Sequence, residues 1–254
     1  MKHRRLLENR TGAYVVGLVA YILALIATAP ATLADAGLQR VSEGRLRLAE
    51  AQGTLWSGTG QLEIRDAGGR TGLAKRLVWR LQPDASLPVR IAYEVALDPG
   101  SRPFTVTAFW SQIEIEHADI SLPAVALGLG LPKLAPLELT GEMNLKVSSL
   151  SIGRNAARGS AILQWRTAGS PLSPVSPLGD YELRLEGKES GVRATLHTLQ
   201  GPLQLEGQGS WASGSKPVFL VTARVPPQFQ QQLAPFLRLI AVERGEGSFE
   251  LQLQ

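Results

Sequence analysis

Three histidines supply all the imidazole in this chain, and His3 sits in a basic N-terminal tail, which leaves His117 and His197 in the body of the sequence. The densest group of ionisable side chains is Glu114-Ile115-Glu116-His117-Ala118-Asp119, types that suit acid–base work or a divalent cation when they converge. On a regular strand they do not converge: alternation sends Glu114 and Glu116 to one face, and His117 and Asp119 to the other with Ile113 and Ile115. The expected role is a solvated strand edge. There is no cysteine and no HExxH, so thiolate, disulfide and common zinc chemistry have no ligands here. The pairs Gly58-Thr59-Gly60, Gly128-Leu129-Gly130, Gly207-Gln208-Gly209 and Gly245-Glu246-Gly247 lack the third glycine of a dinucleotide loop, and no GxSxG elbow or Walker loop occurs. We therefore expect no catalytic, cofactor-binding or metal-binding residues and no enzyme.

The five tryptophans, Trp56, Trp79, Trp110, Trp165 and Trp211, fall within or beside apolar runs. Core packing is their expected role, because an indole on a strand buries a large area; the alternative is an exposed aromatic row that receives a partner strand or a lipid chain. The net charge of +4 hints at nucleic acid until it is located. Lys2, Arg4, Arg5 and Arg10 against Glu8 carry most of the excess, and no Lys/Arg cluster with interleaved aromatics follows residue 34. Without a basic patch to displace counterions, nucleic-acid binding is set aside.

What must position these residues begins with an uncharged stretch from Thr11 to Ala34, apolar on every helical face between Ala13 and Ala27. As a helix it would extend about 36 Å, enough for a hydrocarbon core of roughly 30 Å. Basic residues precede it and none closer than Arg40 follows. The expectation is a cytoplasmic tail at 1–10, a transmembrane helix at 11–34 in a bacterial inner membrane and a periplasmic domain at 35–254. A cleaved leader ending at Ala34-Asp35-Ala36 is the rival; retention is favoured because the apolar stretch is longer than a usual signal core and Pro30 follows the other small-residue triplet.

Beyond the anchor, alternation marks strands: Leu62 and Ile64; Val89 to Leu97; Ile113 and Ile115; Leu137 to Val147; Leu183 and Leu185; Leu203 and Leu205; Phe249 to Leu253. Connections such as Asp98-Pro99-Gly100-Ser101, 66–69 and 187–191 are too short for crossover helices, so neighbours should pair antiparallel. The predicted fold is mainly β: an antiparallel, twisted or partly closed sheet with one or two short helices. Those helices are placed near Pro123–Leu129 and over Pro227–Ile240, where Phe229, Leu233, Phe236, Leu237 and Ile240 share a side and Pro235 predicts a kink or break. The segment 168–179, with Pro171, Pro174 and Pro177, is either a long loop or a linker between sub-units 35–167 and 180–254.

The run Gly53-Thr54-Leu55-Trp56-Ser57-Gly58, following a basic tail and one apolar helix, resembles the type II secretion system protein N family. The likeness continues at Leu77-Val78-Trp79-Arg80, at Leu178-Gly179-Asp180-Tyr181 and at Gly201-Pro202-Leu203, and covers nearly the whole chain. It implies a non-enzymatic, bitopic inner-membrane subunit of the machine that moves folded proteins from the periplasm across the outer membrane. Its partners would be inner-membrane subunits of that machinery, with the outer-membrane pore as a further contact. The family brings no catalytic residues; Gly53, Thr54, Leu55, Trp56, Ser57, Gly58, Trp79, Gly179, Tyr181, Gly201, Pro202 and Leu203 are its structural or interaction residues. A more distant similarity to AsmA-like proteins implies the alternative, a lipid-binding or lipid-transfer module with an apolar groove.

Overall fold

The computed structural model describes residues 2–66, 68–69, 71–83, 90–153, 157–188, 191–211, 218–245 and 247–253, without the side chains of residues 2–13, 15, 71, 130, 132, 211, 252 and 253. Val89, Glu246 and parts of the turns at 66–69 and 187–191 therefore lie outside the described residues, as do residues 11–13 and 15 of the expected span in their side chains.

Helix α1 (Lys2–Ala27) is continuous through the basic tail and most of the uncharged run. Its described large apolar side chains, from Tyr14 through Ile26, are all exposed, between 45% at Ile22 and 75% at Tyr14. Among the described residues no helix is long and apolar enough to cross a membrane. The helix also ends seven residues earlier than Ala34. Thr28 turns back onto the Ala24 carbonyl through both its N–H (3.0 Å) and its hydroxyl (2.8 Å), and Pro30, with no N–H to give, leaves the helix to bridge Thr54. A second helix not foreseen from the sequence, α2 (Thr32–Val41), follows at once.

Fourteen strands then form one antiparallel sheet. They are β1 (Leu46–Gly53), β2 (Ser57–Arg65), β3 (Thr71–Gln82), β4 (Arg90–Leu97), β5 (Phe104–Phe109), β6 (Gln112–Pro123), β7 (Thr140–Gly153), β8 (Ala157–Gly169), β9 (Gly179–Lys188), β10 (Gly191–Gln200), β11 (Gln204–Trp211), β12 (Val218–Arg224), β13 (Val242–Gly245) and β14 (Ser248–Leu253). Sequence order is spatial order up to β12, after which β14 and then β13 complete the far edge. Short turns between alternating runs dictate this meander. The proline-rich stretch after β8 is a loop between directly paired strands, with Ala168 opposite Gly179 and Trp165 opposite Tyr181.

One face is mainly apolar. A single row crosses eight strands as Ile120, Leu145, Leu163, Leu183, Leu196, Gly207, Val221 and Leu251. The expected parity fails at one place. His117 adopts φ 58°, the left-handed region, between the pairs Glu116–Ser149 and Ala118–Val147, where β7 shifts by one residue against β8; past it Ala118 and Ile120 face the core and Asp119 turns to the polar face with Glu114 and Glu116. Asp119 accepts a bond there from Asn144 Nδ2 at 2.7 Å.

Helices cover this face at its two ends. Near β1, α2 packs Ala34 and Leu38 on Leu48, Leu77 and Trp79. At the other end α4 (Pro227–Leu237) and a 3₁₀ turn (Pro132–Leu137) lie over the strands from β7 to β14, with Leu233, Phe236 and Leu237 buried, while α3 (Ala126–Gly130) also reaches β3, where Leu129 lies against Gly72. Helix α4 carries Pro235 in its last turn and stops at Leu237, short of the expected Ile240. Both sheet edges are blunted: Asp35 Oδ1 accepts the Leu48 N–H of β1 at 2.8 Å, and β13 is four residues long with Glu243 and Arg244 exposed.

Candidate functional site: a helix–sheet joint and an apolar cavity

The residues singled out in the sequence fall into two separate groups. The first, Gly53 to Gly58 with Trp79, is the joint between α1 and the sheet. Thr54 closes the β1–β2 turn, its N–H donating to the Ser57 carbonyl (2.9 Å) and its hydroxyl accepting the Ser57 N–H (3.2 Å). The turn then reaches outward to the helix. Trp56 Nε1 donates to the Ile26 carbonyl at 2.8 Å, which also accepts the Ala29 N–H at 3.2 Å, and the Leu55 N–H donates to the Ala29 carbonyl just past the helix at 2.8 Å, so the sheet is bonded to the last turn of α1 and to the segment that leaves it. Trp79, 7% exposed, seats the turn from below by donating its Nε1 to the Thr54 carbonyl at 3.2 Å. Its indole fills the space beside Gly58, where any Cβ would collide with the ring and with the Gln52 carbonyl.

The second group, Gly179, Tyr181, Gly201, Pro202 and Leu203, lies at the far end of the sheet, where Tyr181 and Leu203 line an apolar cavity. Tyr181 is 2% exposed and its hydroxyl donates to the Leu203 carbonyl at 3.0 Å. The Leu203 N–H returns a bond to the Leu178 carbonyl at 3.0 Å, and Gly201 sits so close over the Cα of Gly179 that a side chain there would displace the loop. Trp165 tilts against Tyr181 with ring centroids 5.7 Å apart, and its Nε1 is spent on the Thr140 carbonyl at 3.0 Å.

Beneath these rings lies a cavity of about 180 Å³, lined by Leu163, Leu183, Leu196, Leu205 and Val221 of the sheet, by Leu127, Leu134 and Leu137 before β7, and by Phe236, Leu237 and Ile240 of the α4 segment. The polar atoms of Trp165 and Tyr181 both point to backbone carbonyls, so no hydrogen-bonding group is aimed inward. A cavity with this lining offers water no hydrogen-bonding partner and suits an apolar group. Burial, and secondarily the Asp180 carboxylate, push the Tyr181 phenol far above its ordinary value, so it stays neutral.

The remaining histidines do not join either group. His117 is exposed. His197 lies opposite Glu182 on the polar face, Nε2 to Oε1 3.7 Å. Glu182 also accepts bonds from Gln164 Nε2 (3.0 Å) and Arg184 Nη2 (2.9 Å), and these, Gln164 foremost, hold its carboxyl below the usual range. A carboxylate so engaged ties three strands together. Among the described residues no group of three or more His, Cys, Asp or Glu side chains comes together to hold a metal ion. On the apolar face Lys75 is the one cation of β3's inward row, and it pairs with Asp98.

Sequence reasoning found the apolar side of α4 but missed α2, the 3₁₀ turn as a cavity wall, and the position of Trp110. That tryptophan departs from the expected core role: it occupies the β5–β6 turn and is 100% exposed. The side chain of Trp211 lies outside the described residues.

A family model described as type II secretion system, protein N, matches residues 44–252, from just before β1 to the penultimate residue of β14. No curated protein and no solved structure matches the chain.

Proposed function

Because the chain belongs to the type II secretion system protein N family, and is thereby a component of that secretion machinery, we propose that it is a non-enzymatic, single-pass inner-membrane subunit acting as a scaffold. The observation that carries this reading is the extent of the match, which takes in all fourteen strands. Helix α1 is the anchor. Its described apolar side chains, from Tyr14 to Ile26, are all exposed, the pattern of a helix whose burial must come from lipid. Lys2, Arg4, Arg5 and Arg10 hold its start in the cytoplasm and deliver the sheet to the periplasm.

With both edges blunted, partners would meet the solvent-facing side of the sheet, where Val78 (42% exposed) and Leu220 (44% exposed) interrupt the polar residues. A photoreactive residue at Val78 or Leu220 of the full chain in cells should trap other inner-membrane subunits of the machinery. Irradiation that gives no adduct at either position, with the chain present at its normal level, counts against the scaffold.

The cavity favours a second reading, an apolar-ligand or lipid-binding module. Lipid retained by the detergent-extracted chain through gel filtration, and lost on filling the cavity with Leu196→Trp, is its expected signature. Native mass spectra showing an empty protein dismiss it.

A further inference from the structure

We infer that the tip of the β5–β6 hairpin, centred on Trp110, rests in the headgroup layer of the bilayer that takes α1; the inference depends on the anchor reading given above. Trp110 is fully exposed, and beside it Ile113 and Ile152, paired across β6 and β7, are 46% and 47% exposed. These side chains are the end of the apolar face, where it runs out from under any helix. Three side chains make too small a patch for a stable protein interface, which buries roughly 800 Å² on each partner. A bilayer surface has no such minimum, and tryptophan is the side chain that headgroup layers favour, with an apolar ring and one N–H donor. The guanidinium of Arg90 stacks over the Phe109 ring at 5.5 Å, one residue from the tip.

Location supports the same occupant. The β1–β2 turn that grips α1 and the β5–β6 turn both lie at the same strand ends of the sheet. Gly58 pairs with Trp79, Trp79 with Val95 and Val95 with Phe104, which defines one row across β2 to β5. From that row Trp56 is two residues out and Trp110 six. The Trp110 tip therefore extends farther beyond this row along its own strands than the turn holding the anchor does along its own. A helix joint at one strand end and a tryptophan tip at another, four strands away, give the sheet two points of support on one membrane.

The absence of cysteine makes the test clean, since any cysteine introduced is unique. The full chain carrying Trp110→Cys, Ile22→Cys or Arg102→Cys would be labelled with an environment-sensitive fluorophore in vesicles of phosphatidylethanolamine and phosphatidylglycerol, with quenchers at shallow and deep lipid positions. Arg102 is exposed in the loop after β4, at the opposite strand ends. The expected result is a blue-shifted label at 110 quenched by shallow lipids, a label at 22 quenched by deep ones and no quenching at 102. A quenched label at 22 with an aqueous label at 110 overturns this inference and leaves the anchor standing. Aqueous labels at both positions overturn the anchor and the inference together. A label at 110 that leaves water only when other secretion subunits are added assigns the tip to a protein partner and also overturns it.

Discussion

Tyr181 shows how one side chain in this protein joins packing to chemistry. Its ring walls the cavity and its hydroxyl satisfies the carbonyl of Leu203, so Tyr181→Phe leaves that buried carbonyl without a donor. We expect a loss of about 1–3 kcal/mol in urea unfolding of the detergent-solubilised chain. The same substitution alters the pH response. The folded phenol holds its proton above the ordinary value of 10.0, so its contribution is constant below that pH and declines as pH rises past it, because the unfolded chain then ionises and the folded one does not. Wild-type stability should therefore fall more steeply above pH 10.0 than that of Tyr181→Phe. Glu182 acts at the other end of the scale: its lowered value means stability present above pH 4.5 and lost on further acidification, an acid limb that Gln164→Ala should flatten. Gly58→Ala drives a methyl into the Trp79 ring and should cost about 1–3 kcal/mol. The sequence made these residues visible through their motif. It did not show what they touch, because the partners, Ile26, Ala29 and Thr140, are plain residues that act through backbone carbonyls.

Among the elements, α4 was the most legible, since Leu233, Phe236 and Leu237 recur at helical spacing between polar glutamines. Leu233, 0% exposed, lies at the centre of its contact with the sheet, and Leu233→Ala should cost about 2–5 kcal/mol by equilibrium unfolding. Helix α2 was hidden for a physical reason: Ala31, Ala34 and Leu38 follow an uninterrupted apolar run, so their period has no polar background before Asp35 to stand against. The break in alternation at His117 escaped notice because no glycine marks it, and it was enough to carry Asp119 to the opposite face. Blunted edges belong to this scale as well. Asp35→Ala frees the Leu48 N–H of the first strand, and the expected outcome is increased self-association on light scattering with a loss of about 1 kcal/mol in unfolding.

At the scale of the whole molecule, alternation and short turns were sufficient to foretell an antiparallel meander, while the length of the sheet was not foretold. Fourteen strands in nearly sequential order follow from turns that each join neighbours, and a single continuous sheet results because the proline-rich stretch after β8 still leaves Trp165 and Tyr181 paired. The two-sidedness of that sheet frames the functional account: a greasy face partly covered by α2, α3 and α4, and a polar face with scattered apolar side chains open to partners. The proposed role of this chain is in type II secretion, without chemistry of its own. It is tested most directly by deleting the gene in frame in the organism that carries it and assaying a folded, exported enzyme in periplasm and medium. The predicted result is enzyme activity retained in the periplasm and restored to the medium by the intact chain, and by a His117→Ala, His197→Ala double variant equally well. Undiminished release from the deletion strain would contradict the claim, and failure of the histidine variant, expressed at the normal level, to restore release would contradict its non-enzymatic part.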